Sequence, residues 1–330
     1  MTADPATQTQ VDPPIAAASG KLGFLFPGQG SQKVGMGKTW ADAFPAAKAV
    51  FDEADDVLRL PLARLCWDGP AEELQLTANQ QPAILTVSVA MLRVLEMHGV
   101  QPALVAGHSL GEYSALVAAR VLDLADALRL VRRRGELMQE AVPVGTGAMA
   151  AVLGLPPEQI GEVVAEVSTP TEVCTVANYN SPEQTVIAGH KSAVLRAIPA
   201  LQARGAKRAL LLPVSAPFHS PLMRPAREGL EPMLRSTEFR DPRVPVVTNV
   251  DARPVSTGAA AREALIRQVD SPVRWVESVE WMTGEGGVDR FVEVGPGNVL
   301  CGLVKRIGQR GKPAFCGEPE GLPELIASLK

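Results

Sequence analysis

A serine flanked two positions away by glycines, Gly107-His108-Ser109-Leu110-Gly111, is the feature of this chain best suited to chemistry. The apolar run before it, Pro102 to Ala106, reads as a buried strand, and Tyr113 to Arg120 continues at helical spacing. Strand, tight turn and helix with a serine at the apex describe a nucleophile elbow. Glycines are needed there because side chains on either side would collide with the neighbouring strand and helix. The hydroxyl would then sit at the carboxyl edge of a sheet, beside a helix N-terminus that favours developing negative charge. The same five residues can also form a plain structural turn; the strand–turn–helix context favours the nucleophile.

A serine hydroxyl needs a base to take its proton, usually histidine. The sequence offers four. His98 ends an apolar helix, His108 adjoins the serine but points away from it on a turn, and His190 lies at a strand end far along the chain. His219 sits in a proline-broken loop that the sequence places after a strand of the main domain, where a catalytic base is commonly mounted. No Asp or Glu presents itself in a strand-end loop, which leaves a dyad oriented by a carbonyl or amide. Arg132, Arg133 and Arg134 form a basic triplet on a helix, and most such charges are solvated. A buried arginine near the serine would instead grip a carboxylate with two parallel hydrogen bonds, which lysine cannot do.

The elements around these residues alternate strand and helix. The first strand, Leu22 to Phe26, runs into the glycine-rich turn Pro27-Gly-Gln-Gly-Ser-Gln32. A dinucleotide fingerprint would need glycine at Lys33, and a phosphate loop ending at Gly37-Lys38-Thr39 would need one at Gln32; both fail on spacing. The turn either aims backbone N–H groups at a ligand or simply connects. Between Gly147 and Val214 the order is strand–helix–strand–strand–helix–strand, a ferredoxin-like split unit. Past it come a strand at Val244 to Val250, a helix at Ala261 to Val269, a strand at Phe291 to Val294 and a helix at Val299 to Ile307. The division expected is a disordered leader (1–20), an α/β-hydrolase-like core with a parallel sheet (21–145 and 215–310), a ferredoxin-like insert (146–214) and a C-terminal extension (311–330).

Bulk properties exclude several classes. Aromatic residues make up 4% and the net charge is −4, which argues against nucleic-acid stacking and against sequence-independent attraction to phosphate backbones. The four cysteines have no metal-ligand spacing and read as reduced thiols. Neither a membrane-spanning stretch nor a secretory signal is present in the sequence, so the expected setting is the cytoplasm.

Taken together, FPGQGSQ at 26–32, GHSLGEYSA at 107–115, RGELMQEAVP at 134–143, NYNSP at 178–182, VSAPFH at 214–219, Arg267-Gln268 ahead of PVRW at 272–275, and VEVGPG at 292–297 resemble the malonyl-CoA:acyl carrier protein transacylase family. That family includes the acyltransferase domains of polyketide synthases. The resemblance runs in order from about Leu22 to Ile307. It implies a malonyl transfer from malonyl-CoA to the phosphopantetheine thiol of an acyl carrier protein, by a ping-pong route, for fatty-acid or polyketide synthesis. No permanently bound cofactor is implied. Ser109 would be the nucleophile, and His219 the base, held through a carbonyl of Gln268. The N–H groups of Gln29 and Leu110 would form the oxyanion hole, and Arg134 would pair with the malonyl carboxylate. Phe218, an aromatic just before the histidine, goes with malonyl over methylmalonyl in the synthase domains. Two other readings stand beside this one: a serine acyl hydrolase that edits carrier-bound acyl groups, and a non-catalytic carrier-docking module.

Overall fold

The computed structural model describes residues 20–214, 216–308 and 313–329; the expected leader falls outside the described residues apart from Gly20. Ten strands are described: β1 (Lys21–Phe26), β2 (Leu104–Gly107), β3 (Gly147–Leu153), β4 (Cys174–Ser181), β5 (Gln184–His190), β6 (Arg208–Leu211), β7 (Val246–Val247), β8 (Pro254–Val255), β9 (Val288–Glu293) and β10 (Ala314–Phe315). Six form a sheet in the order β10-β9-β1-β2-β7-β8. Its pairings are parallel except at the edge, where β8 runs antiparallel to β7, so the sheet is mixed rather than purely parallel.

The central strands read as unbroken apolar runs because both faces are covered. Alternation still sorts their side chains. Phe24, Phe26, Val105 and Val292 join one apolar layer, whereas Leu25, Leu104, Ala106 and Phe291 join the other. The first layer is closed by the long helices Thr77–Met97 and Leu124–Glu140, the second by Trp275–Thr283 and Val299–Ile307. Phe24 is fully buried, so truncating it to alanine costs about 3–5 kcal/mol.

The other four strands form an antiparallel sheet in the order β4-β5-β3-β6. With the helices Pro157–Val167 and Lys191–Ala203 interleaved, this is the ferredoxin-like order expected from the sequence. The sheet does not hang free. Tyr179 N–H donates to the Val273 carbonyl and Val273 N–H to the Ala177 carbonyl, both at 2.9 Å, stitching the edge of β4 to the loop before Trp275.

Three expectations are corrected. Within the C-terminal extension expected at 311–330, the described residues 313–329 join the core: β10 adds a parallel strand beside β9, and Leu322 and Leu325 pack into the main core. A two-residue strand followed by glycine and proline has no period to read, which is why the sequence concealed it. The strand expected at Val244 to Val250 shrinks to Val246–Val247, since Thr248 N–H bonds back to the Arg253 carbonyl and turns the chain into β8. Finally, the strand before His219 is β6, which belongs to the small sheet and not to the main one.

Candidate active site

The elbow follows from close packing. Ser109 has φ of +51°, a left-handed conformation that an L-residue adopts only when its surroundings impose it. A Cβ on Gly107 would lie 1.9 Å from the Gly111 backbone, and one on Gly111 would lie 2.0 Å from the Phe26 carbonyl oxygen. β2, the turn and the helix Gly111–Ala118 are thus pressed against β1 with no room for side chains. Asn249 then locks the turn: its Oδ1 accepts the Ser109 N–H at 2.7 Å and its Nδ2 donates to the Gly107 carbonyl at 2.7 Å.

His219 reaches this serine across 110 residues of sequence, and Ser109 Oγ–H donates to its Nε2 at 2.7 Å. The ring's Nδ1–H donates to two backbone carbonyls, Gln268 at 3.0 Å and Ser271 at 3.1 Å. Both partners accept only, so the proton is held on Nδ1 and the Nε2 lone pair faces the hydroxyl. Burial, then the positive charges of Arg134 and His108, pull the His219 pKa down to about 3. The imidazole is therefore neutral and ready to accept a proton. His219 also carries φ of +58°, and the loop is seated by Pro217, whose ring lies where a Cβ on Gly147 would fall, 2.4 Å away.

Of the arginine triplet, Arg132 and Arg133 pair with Glu136 in the outer part of the helix, whereas Arg134 is fully buried. Arg134 Nη1 donates to Gln81 Oε1 at 2.7 Å, and Nη2 donates to Gln268 Oε1 at 3.0 Å and Ser109 Oγ at 3.1 Å. Its Nε–H is buried without an acceptor, and it has no ion-pair partner among the described residues. Burial pushes its pKa below the usual arginine range, opposed by Tyr113 and Glu112. A buried cation served by neutral acceptors alone is costly unless a ligand supplies the missing charge. Nearby Glu112, also buried, is pushed up to about 7 by desolvation, against the hydrogen bonds of Gln268 and Asn249 and the charge of Arg134.

The remaining sequence candidates surround this cluster. A Cβ on Gly28 would lie 2.5 Å from the His108 carbonyl oxygen, so the glycine-rich loop lies directly against the elbow. The Gln29 side chain donates to Thr77 Oγ1 at 2.9 Å and also to Gln80. The backbone N–H groups of Gln29 and Leu110 have no acceptor among the described residues. Phe218 is 8% exposed and packs into the main core next to His219. A cleft of about 390 Å³, lined in part by Gln29, His108, Asn180, Asn298 and Arg306, opens beside the elbow. His108 lines it, with its Nε2 at 2.8 Å from Asn180 Oδ1.

Gln268 has two parts in the site, one through its backbone and one through its side chain. Its carbonyl holds His219, while its side chain bridges Arg134, the Ser109 carbonyl (2.9 Å) and Glu112 (2.9 Å). Gln81, Asn249 and Glu112 went unassigned from sequence. Gln81 is one of three adjacent amides, Asn79-Gln80-Gln81, at the entry of a long helix with no pattern to single it out, and Asn249 lies inside the strand expected from sequence. Only Glu112, in the elbow motif itself, carried a signal: a buried first-turn carboxylate where the apolar helix face leads. No group of side chains suited to a metal ion occurs among the described residues, and the four cysteines are free and buried.

Comparison with known proteins agrees with the geometry. The acyl transferase domain model matches residues 23–314, and the chain belongs to that family. Within it, the chain is 52% identical over 307 residues to the malonyl CoA-acyl carrier protein transacylase of Escherichia coli O157:H7, covering 93% of this chain and 99% of the relative. The Bacillus subtilis (strain 168) protein of the same name is 48% identical over 310 residues, 94% and 98% of the two chains. Among solved structures, an acyl carrier protein S-malonyltransferase from Vibrio cholerae superposes with a TM-score of 0.90 at 48% identity, covering 92% of this chain and 99% of that one. A malonyl-transacylase in complex with a type II polyketide synthase acyl carrier protein gives 0.90 at 48% identity, over 93% and 99%.

Proposed function

We propose that this chain moves a malonyl group from malonyl-CoA to the phosphopantetheine thiol of an acyl carrier protein, for fatty-acid or polyketide synthesis, through an ester on Ser109. In the first half-reaction His219 Nε2 takes the Ser109 proton as Oγ attacks the thioester carbonyl. The oxyanion that forms is received by the N–H groups of Gln29 and Leu110. When the C–S bond breaks, His219 Nε2–H gives this proton to the coenzyme A sulfur, which leaves as the thiol and returns His219 to its neutral form. The second half-reaction is the mirror of the first: His219 deprotonates the carrier thiol, sulfur attacks the ester carbonyl, and Ser109 leaves with the proton.

One observation carries the dicarboxylic substrate: the Arg134 guanidinium is buried at 3.1 Å from the nucleophile with neutral acceptors only. A malonyl carboxylate supplies the absent charge and a planar partner for the fork. Phe218 supports malonyl over methylmalonyl by filling space beside the base, a preference of about 1–3 kcal/mol for one methyl group. The reading also keeps the division into an α/β core and a ferredoxin-like insert, at residues 146–214, with no permanently bound cofactor and a cytoplasmic setting; among the described residues no helix is long and apolar enough to cross a membrane. Partners are malonyl-CoA and the carrier protein; neither nucleic acid nor membrane has a part.

The test is transfer itself. With malonyl-CoA and a phosphopantetheinylated carrier, malonyl should appear on the carrier in step with free coenzyme A. Release of coenzyme A with free malonate and an unloaded carrier would instead establish the hydrolase.

A further inference from the structure

The groups that hold the nucleophile, the base and the arginine converge on one side chain that touches none of the three directly. Glu112 follows Ser109 by three residues, in the first turn of the helix Gly111–Ala118, and is 1% exposed. Its Oε2 accepts two hydrogen bonds, from the Asn249 backbone N–H and from Gln268 Nε2, both at 2.9 Å. Each donor continues inward. Asn249 Oδ1 holds the Ser109 N–H, and Gln268 presents Nε2 to the Ser109 carbonyl and Oε1 to Arg134.

An amide side chain can be turned by 180° with little change of shape, so its direction is set by its partners. Turned over, Gln268 would set its N–H groups against the Arg134 donors and its oxygen against both the Ser109 carbonyl and Glu112. The observed direction satisfies all three. Arg134 meets Gln81 at one nitrogen and Gln268 and Ser109 at the other, so the Gln268 oxygen is one of the contacts that sets its distance from the nucleophile.

We infer that Glu112 is a positioning residue for acyl transfer: by accepting from Gln268 and Asn249 at a single oxygen, it fixes the seat of Arg134 relative to Ser109. The role rests on the function proposed above, since a correctly seated guanidinium matters only for an acyl group that carries a carboxylate. Two consequences separate it from a merely structural anchor. Loss of the acceptor weakens the elbow for every acyl donor, through Asn249, and weakens the arginine for malonyl alone, through Gln268. A neutral acceptor of the same shape should serve nearly as well as the carboxylate.

The experiment uses the full chain as wild type, Glu112→Ala and Glu112→Gln. It measures single-turnover acylation of Ser109 by malonyl-CoA and by acetyl-CoA with rapid quench and intact-protein mass spectrometry. For Glu112→Ala we expect malonyl acylation to fall about 100-fold, the scale of a misplacement near 1 Å, and acetyl acylation about tenfold. Discrimination between the two then narrows about tenfold, and Glu112→Gln recovers most of both rates. If Glu112→Ala does not fold by circular dichroism, Glu112→Met keeps the volume without the acceptor and carries the same expectation. Rates close to wild type for both donors, an equal fall for both, or a Glu112→Gln as slow as Glu112→Ala would each overturn the inference. A wild type that forms no malonyl ester overturns the proposed function as well, so the two failures are told apart.

Discussion

Replacing Arg134 by alanine should separate malonyl from acetyl donors more sharply than any other single change. The guanidinium is buried, donates to Ser109 Oγ at 3.1 Å, and is otherwise held by Gln81 and Gln268. A malonyl carboxylate on its fork gains two charge-assisted hydrogen bonds, each contributing about 1.5–3 kcal/mol. The gross loss is then about 3–6 kcal/mol, on the order of 10²–10⁴-fold in rate at about 1.4 kcal/mol per decade. The carboxylate must itself shed water to enter a buried site, which offsets part of this, so the lower half of the range applies: on the order of 10²–10³-fold. Acetyl-CoA makes no such contact. Removing a positive neighbour also relieves one of the charges that hold the His219 pKa down, so the base grows stronger. Acetyl acylation should therefore hold steady or rise. The assay is rapid-quench acylation with each donor under single-turnover conditions. An equal fall for the two donors would mean that Arg134 serves the elbow or the fold and not the carboxylate. Arg134→Lys should resemble the alanine variant more than wild type, since a point charge does not reproduce the fork.

Other consequences are more compact. With its pKa at about 3, His219 should keep acylation by malonyl-CoA level as pH falls through 6.5 toward 5. Measured in the Glu112→Gln background to remove the other group that titrates near neutrality, a loss centred at 6.5 would contradict the burial argument. The same displacement links stability to pH. Between about 3 and 6.5 the unfolded chain takes a proton that the folded site refuses, so this contribution is present above 6.5 and fades as pH falls; His219→Gln should lack that slope in denaturant titrations. Phe218→Ser should raise methylmalonyl relative to malonyl acylation by on the order of tenfold or more, the worth of one methyl group; an unchanged ratio in competition would remove Phe218 from the pocket wall. Gly111→Ala sets a Cβ 2.0 Å from the Phe26 carbonyl oxygen, against backbone that cannot move aside, and should cost several kcal/mol, read as a lowered melting temperature or loss of soluble protein.

What was legible in the sequence was what has a local signature. The elbow announces itself because a strand, a glycine pair and a helix are contiguous, and the small sheet because its six elements follow one another in ferredoxin-like order. The side chains that hold Ser109 and Arg134 in place were not legible, because they come from distant pieces of the chain. Asn249 lies 140 residues from Ser109, and Gln81 lies 53 from Arg134. Gln81 is one of three amides in a row and Asn249 a polar residue in an apolar stretch, and in neither case does anything nearby say whether the side chain faces a core, a ligand or solvent. Gln268 shows the limit most clearly. The expected link was a carbonyl to His219, which is backbone and would survive substitution, whereas its amide side chain bridges Arg134, Ser109 and Glu112. The tail is hidden for the opposite reason: β10 is two residues long and owes its place to β9, not to its own pattern.

The proposed reaction requires Ser109 to carry the malonyl group as an ester between two thiols. Intact-protein mass spectrometry after brief mixing with malonyl-CoA tests it most directly, with Ser109→Ala alongside and a phosphopantetheinylated carrier added afterwards. Wild type should carry one malonyl adduct and the variant none, and the adduct should persist in buffer and discharge when the carrier arrives. An adduct that survives in Ser109→Ala, or one lost to water before any carrier is added, would contradict it.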